Sequence, residues 1–219
     1  GGAAASDFPQ AGDIAILQPF NNTQAGVIFS ISNYSGDANM DVEVAELVFN
    51  RERFDSPGTN RFVGLFLAED VNLDFGVVKG NGEIRALVSN SSVPRFNDTD
   101  FGDFVDQADN GAAFNFFGQS DGILTLPPEI TSYPNVRLEG SNNNAIDRFF
   151  VFSESTTVRD LVVDGNATIR VINDLEVTDD MRLGGFNAGF MQFGDGVSLN
   201  EVTVTVADDF DACVHKRIG

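Results

Sequence analysis

The sequence predicts an all-β protein, an antiparallel β-sandwich of jelly-roll type. Three observations predict it. Apolar residues recur at period two in many short segments. Those segments are separated by Gly, Asn, Asp and Pro turn chemistry, and no stretch carries sustained helical periodicity. A chain of this kind buries one side of each strand and packs sheet on sheet.

The elements follow in order. Residues 1–20 read as an N-terminal extended segment. Within it, Ala11–Phe20 presents Ile14 and Ile16 as one row of knobs suited to a neighbouring subunit's sheet. Residues 21–219 read as one β-rich domain with a subdivision point near residue 125. Val27, Phe29 and Ile31 alternate with Ser30 and Ser32, and Val42 and Val44 open a strand that runs to Phe49. Arg61–Ala68 is nearly continuous in apolar residues, as expected of a strand covered on both sides. Val71, Leu73, Phe75 and Val77 alternate with polar residues, as do Ile84, Ala86 and Val88, and Lys79-Gly80-Asn81-Gly82 lies between them. That pattern predicts a hairpin. Asp and Thr near Asp100–Asp109 favour one short helix. Further strands are expected at Ala113–Phe117, Ile123–Leu126, Val136–Glu139, Arg148–Ser153, Val158–Val163, Ala167–Ile172, Met181–Leu183 and Glu201–Ala207.

The C-terminal half admits an alternative. Leu138-Glu139-Gly140, Val163-Asp164-Gly165 and Leu183-Gly184-Gly185 are similar strand ends, and Gly140, Gly165 and Gly185 lie 25 and 20 residues apart. Such spacing resembles the coils of a parallel β-helix, whose turns must bury their faces on one another.

Composition bounds the function. The net charge is −20, from 13 Lys and Arg against 33 Asp and Glu. Nucleic-acid binding needs a basic face, and docking to an anionic bilayer needs one too, so neither is expected. No apolar run approaches the length of a membrane span. The single Cys (Cys213) and single His (His215) exclude an intramolecular disulfide and a multi-His metal centre. The aromatics are 21 Phe, 2 Tyr and no Trp. Phe lacks a polar handle, so these rings are expected in cores or subunit contacts rather than on sugar platforms. No G-x-S-x-G, P-loop or dinucleotide fingerprint occurs. Asp179/Asp180 and Asp208/Asp209 are paired acids, but adjacent residues of a strand face opposite ways. The chain is therefore not expected to be an enzyme.

Calcium is the one ligand the acids suggest, with no cofactor required. Asp37, Asn39 and Asp41 place oxygen donors at alternate positions, and Asp98, Asp100 and Asp103 form a second group. The alternative for both is a solvated acidic turn. Five N-x-S/T acceptors occur, at Asn21, Asn33, Asn90, Asn97 and Asn166, so covalent glycans are expected partners. The chain opens Gly1-Gly2-Ala3-Ala4-Ala5-Ser6, which reads as a processed start. Lys216 and Arg217 give the tail a basic end that can dock on an acidic neighbouring copy.

These readings converge on a secreted structural protein. It is expected to be a self-assembling subunit of an extracellular surface filament or pilus-like fibre, held to other copies by strand addition and Phe-rich packing. The alternatives are a calcium-dependent carbohydrate-binding or polysaccharide-degrading β-helix, and a viral fibre or coat module.

Overall fold

A strand that buries one side and wets the other can close a core in two ways: against a second sheet, or against the far walls of its own coil. This chain takes the second route. The computed structural model describes residues 11–18, 26–31, 40–50, 62–68, 71–140, 148–184, 188–194 and 202–212. Their strands wind into a solenoid with three faces, visited in the same order on each coil.

The first coil is β1 (Ile14–Leu17), β2 (Gly26–Ile31) and β3 (Met40–Glu43). The second is β4 (Glu46–Phe49), β5 (Phe62–Leu67) and β6 (Val71–Asp74). The third is β7 (Val77–Gly80), β8 (Glu83–Val88) and β9 (Arg95–Phe96). The fourth puts α1 (Gly102–Val105) and a 3-10 turn (Ala108–Asn110) where its first strand would lie, then β10 (Ala113–Gly118) and β11 (Gly122–Thr125). The fifth is β12 (Ser132–Tyr133), β13 (Asn135–Glu139) and β14 (Arg148–Val151). The sixth is β15 (Thr156–Val158), β16 (Leu161–Asp164) and β17 (Thr168–Val171). The seventh is β18 (Leu175–Val177), β19 (Met181–Leu183) and β20 (Phe190–Phe193). The eighth holds β21 (Val204–Val206) and β22 (Phe210–Ala212) among the described residues.

The second face is one continuous sheet of eight strands, β2-β5-β8-β10-β13-β16-β19-β22. The first face divides into β1-β4-β7 and β12-β15-β18-β21, the third into β3-β6-β9 and β11-β14-β17-β20. The first-face break is the α1 segment, tied to the coil below by the Val78 N–H, which donates to the Asp100 carbonyl at 2.9 Å.

The antiparallel sandwich is overturned by this topology: every described strand pairing is parallel. Nor are coils confined to the C-terminal half, since rungs stack from Ile14 to Ala212. The hairpin expected around Lys79-Gly80-Asn81-Gly82 is a corner instead. β7 joins the first face and β8 the second, and they do not pair with each other. The physical reason is that alternation reports burial on one side, which solenoid and sandwich strands share. Gly and Asn supply positive φ for either a reversal or a bend. At Gly80 (φ 85°) the chain bends, and a Cβ there would collide with the Phe49 carbonyl oxygen of the coil below.

Inward rows fill the core. Ile84, Phe114, Val136, Leu161 and Met181 form one row up the second face, and all are buried. Where α1 displaces a strand, the extra interior volume is filled by rings. Phe114 lies 5.3–6.1 Å, centroid to centroid, from Phe96, Phe101, Phe104, Phe116 and Tyr133. The edge-to-face geometry of most of these pairs is the favourable one.

Candidate functional site

A solenoid satisfies its backbone by stacking, so its two ends are the places where stacking stops. At the first coil, inward-pointing Ala15 and Leu17 (β1), Phe29 and Ile31 (β2) and Val42 (β3) rest on the core half-buried, and among the described residues no rung stacks on their other side. Their rung partners Leu47, Phe49, Leu65, Leu67 and Leu73 are buried. At the other end, Val204 and Val206 (β21) and Phe210 and Ala212 (β22) continue the buried rows of Leu175, Val177, Met181 and Leu183. On the third face the described chain stops at β20, where Phe193 continues the row of Val171. Phe193 is 58% exposed and Phe210 54%, although both point along the core side of their strands. Among the described residues no strand pairs with the outer edge of β1, β2 or β3, or with that of β20, β21 or β22. An apolar cross-section framed by unpaired backbone groups is a template for another strand.

The sequence-selected assembly residues lie elsewhere. Ile14 and Ile16 are 60% and 53% exposed on the outer side of β1, in rows with Glu46 and Val48. Their strand pairs in parallel with β4 of its own chain. Lys79 occupies the same outer face and bonds Glu46 at 3.0 Å. The Glu46 carboxylate holds its ammonium above the usual lysine range against a smaller effect of burial. Lys216 and Arg217 lie outside the described residues.

The expected calcium groups are dispersed. Asp37 and Asn39 lie outside the described residues. Asp41 is exposed and accepts a hydrogen bond from Asn72 Nδ2 at 2.9 Å, a polar pair between successive rungs. Asp98 (φ 46°), Asp100 and Asp103 are exposed around the entry to α1. There the Asp100 Oδ1 accepts from the Gly102 N–H at 2.8 Å. Asp100 also lines a cleft of about 410 Å³ between the α1 segment and Glu129–Ser132. Among the described residues, the three carboxylates gathered within 4.8 Å are different ones, Asp179, Asp180 and Asp208.

Those acids occupy a corner rather than a strand, so adjacency does not separate them. The Asp180 N–H donates to Asp160 Oδ1 at 3.1 Å, and the Asp209 N–H to Asp180 Oδ1 at 3.2 Å. Each carboxylate thereby caps the coil above it. Arg159 pairs with Asp179 at 2.6 Å and with Asp109. A signal for this ladder was present in the sequence: Asp160-Leu161, Asp180-Met181 and Asp209-Phe210 each put an Asp directly before a second-face strand.

Of the glycan acceptors, Asn21 and Asn33 lie outside the described residues. Asn90 and Asn97 are exposed. Asn166 is half-buried at φ 63°, and its N–H donates to the Ala188 carbonyl at 2.8 Å. Cys213 and His215 are also outside the described residues. Among the described residues no helix is long and apolar enough to cross a membrane. The chain matches no family model, and no curated protein or solved structure is significantly similar to it.

Proposed function

We propose that this protein is a secreted structural subunit that assembles with copies of itself into an extracellular filament, by strand addition and apolar packing. One observation carries the reading: among the described residues no strand pairs with the outer edge of the first or last coil, where the core-side residues are half-buried at the first coil and include exposed Phe193 and Phe210 at the other end. A stacked copy would satisfy the backbone groups and cover the apolar rows together. The charge of −20 keeps single subunits apart in dilute buffer. The N-x-S/T acceptors favour a secretory route.

Negative-stain electron microscopy of the native protein tests the reading, over a range of ionic strength and with a chelated control. Long regular filaments are the expected result. Filaments that vanish on chelation add calcium to the assembly, and filaments that survive it dispense with calcium. Single particles or small closed oligomers at every ionic strength overturn the proposal.

A further inference from the structure

We infer that the cleft at coil four is a docking site for an extended basic peptide, which adds as a strand to the free edge of β12. The site lies within residues 95–133, all of them described, and is independent of the coil ends on which the self-assembly reading rests.

The cleft exists because the first face is interrupted. α1 and the 3-10 turn replace a strand there, so β12 has β15 on one edge and, among the described residues, no strand on the other. The Thr131 and Tyr133 carbonyls accept the Thr157 and Arg159 N–H groups at 2.9 and 3.4 Å. Alternate residues of a strand send their backbone groups to opposite edges, so the Ser132 N–H and carbonyl face away from β15. Among the described residues they have no backbone partner. Ser132 is exposed and lines the cleft of about 410 Å³ that separates it from α1. An unpaired strand edge beside an open cleft is a template for an extended chain.

The lining sets the side chains that strand must carry. The floor is apolar, with Phe101 and Ile130 buried and Val105 half-buried. The rim carries three carboxylates, Asp100, Asp106 and Glu129. Among the described residues, the one cation paired with any of them is Arg95, which bonds Glu129 at 2.9 Å. Three carboxylates against one guanidinium leave the rim negative. A strand alternates its side chains, so a peptide that turns small apolar residues to the floor presents every second residue to the rim. Lys or Arg at those positions meets the carboxylates in charge-assisted bonds. The free edge offers the backbone groups of Ser132 alone, too few to hold a peptide against the entropy of ordering it. Charge supplies the remainder, so binding weakens as salt screens it.

Isothermal titration of the full chain with the peptide acetyl-Lys-Val-Lys-Val-Lys-amide, in dilute low-salt buffer, tests the site. Asp106→Asn combined with Glu129→Gln should weaken binding at least ~5-fold, the loss expected for two surface ion pairs. Asp208→Asn combined with Asp209→Asn removes the same charge at a remote corner and should leave the affinity within ~2-fold. Equal losses in the two double variants would mean that the peptide responds to net charge alone, and the site is overturned. The backbone contact is tested on the peptide, where no variant has to fold. N-methylation of the lysines blocks one edge of the bound strand, and N-methylation of the valines blocks the other. One of these two peptides should bind at least ~5-fold more weakly than its counterpart. Equal affinities overturn strand addition. Spermidine carries the charge without a peptide backbone and should bind at least ~5-fold more weakly than the unmodified peptide. Spermidine that matches the peptide overturns the peptide assignment. Each of these failures leaves the filament reading standing, because microscopy of the protein alone decides that reading.

Discussion

Two residues carry sharp expectations because their surroundings leave no room. Tyr133 is fully buried inside the ring cluster, and its hydroxyl donates to the Pro127 carbonyl at 3.3 Å. Burial raises its phenol pKa well above the ordinary value, and the Glu129 charge adds to the effect. The unfolded chain then releases the Tyr133 proton first as pH rises. The stability contribution is complete below pH ~10 and falls above it by about 1.4 kcal/mol per pH unit. Urea titrations at several pH values should show that decline, and Tyr133→Phe should flatten it. Gly140 makes the second case. A Cβ there would strike the Gly165 carbonyl oxygen of the next coil, while Gly165 itself sits at φ 63°. Gly140→Ala should cost on the order of 2 kcal/mol, with Gly165→Ala similar, measured by denaturant unfolding. This corner was legible in the sequence. The 25 and 20 residues that separate the corner glycines are also the offsets of Val136 to Leu161 and Leu161 to Met181. Close backbone stacking demands glycine, and glycine leaves a readable mark.

At the scale of the element, the sequence displayed strands and turns but not their partners. The alternating run Val71–Val77 is split into β6 (Val71–Asp74) and β7 (Val77–Gly80) on different faces, and the Gly/Asn segment before β8 (Glu83–Val88) bends the chain instead of reversing it. Turn chemistry states that φ is positive and says nothing of what the next strand pairs with. A short helix lies where one was expected, but its N-cap is Phe101 without a side-chain cap, Thr99 bonds elsewhere and only Asp100 reaches the first turn, and its role was not legible. α1 stands in for a strand, and Phe101 and Phe104 fill the volume the missing strand leaves. The ring at the centre is Phe114, which is fully buried. Phe114→Ala should destabilise by about 3–5 kcal/mol through lost burial and a residual cavity. Phe104→Ala should cost a similar amount. Because the rings touch at 5.8 Å, the double variant should cost less than the sum. Additive losses in a double-mutant cycle would show that the two rings pack independently.

Over the whole molecule, coil four is both the seam and the bolt. First-face and third-face sheets each break there, and the second-face sheet runs through. The ends of the solenoid were not legible in the sequence, because Phe193 and Phe210 sit in alternation patterns no different from those of buried rungs. Only the rung count reveals that nothing stacks beyond them among the described residues. A solenoid's stability is a sum of coil and nearest-neighbour terms, so its cooperativity depends on its weakest interface. Here that interface is held by β8, β10 and β13 together with the ring cluster. The sheet breaks set coils one to three against the coils that follow, and the two parts are expected to unfold together through the continuous second face and the rings. Weakening the seam should separate them. Wild-type protein is expected to lose amide protection in β5 and β16 over the same range of urea, as a single transition requires. Phe114→Ala should split that loss into two transitions at different midpoints, read by hydrogen exchange with peptide-level mass spectrometry. One shifted but still coincident transition would mean that the continuous second-face sheet alone couples the two units, with the rings adding stability but not cooperativity.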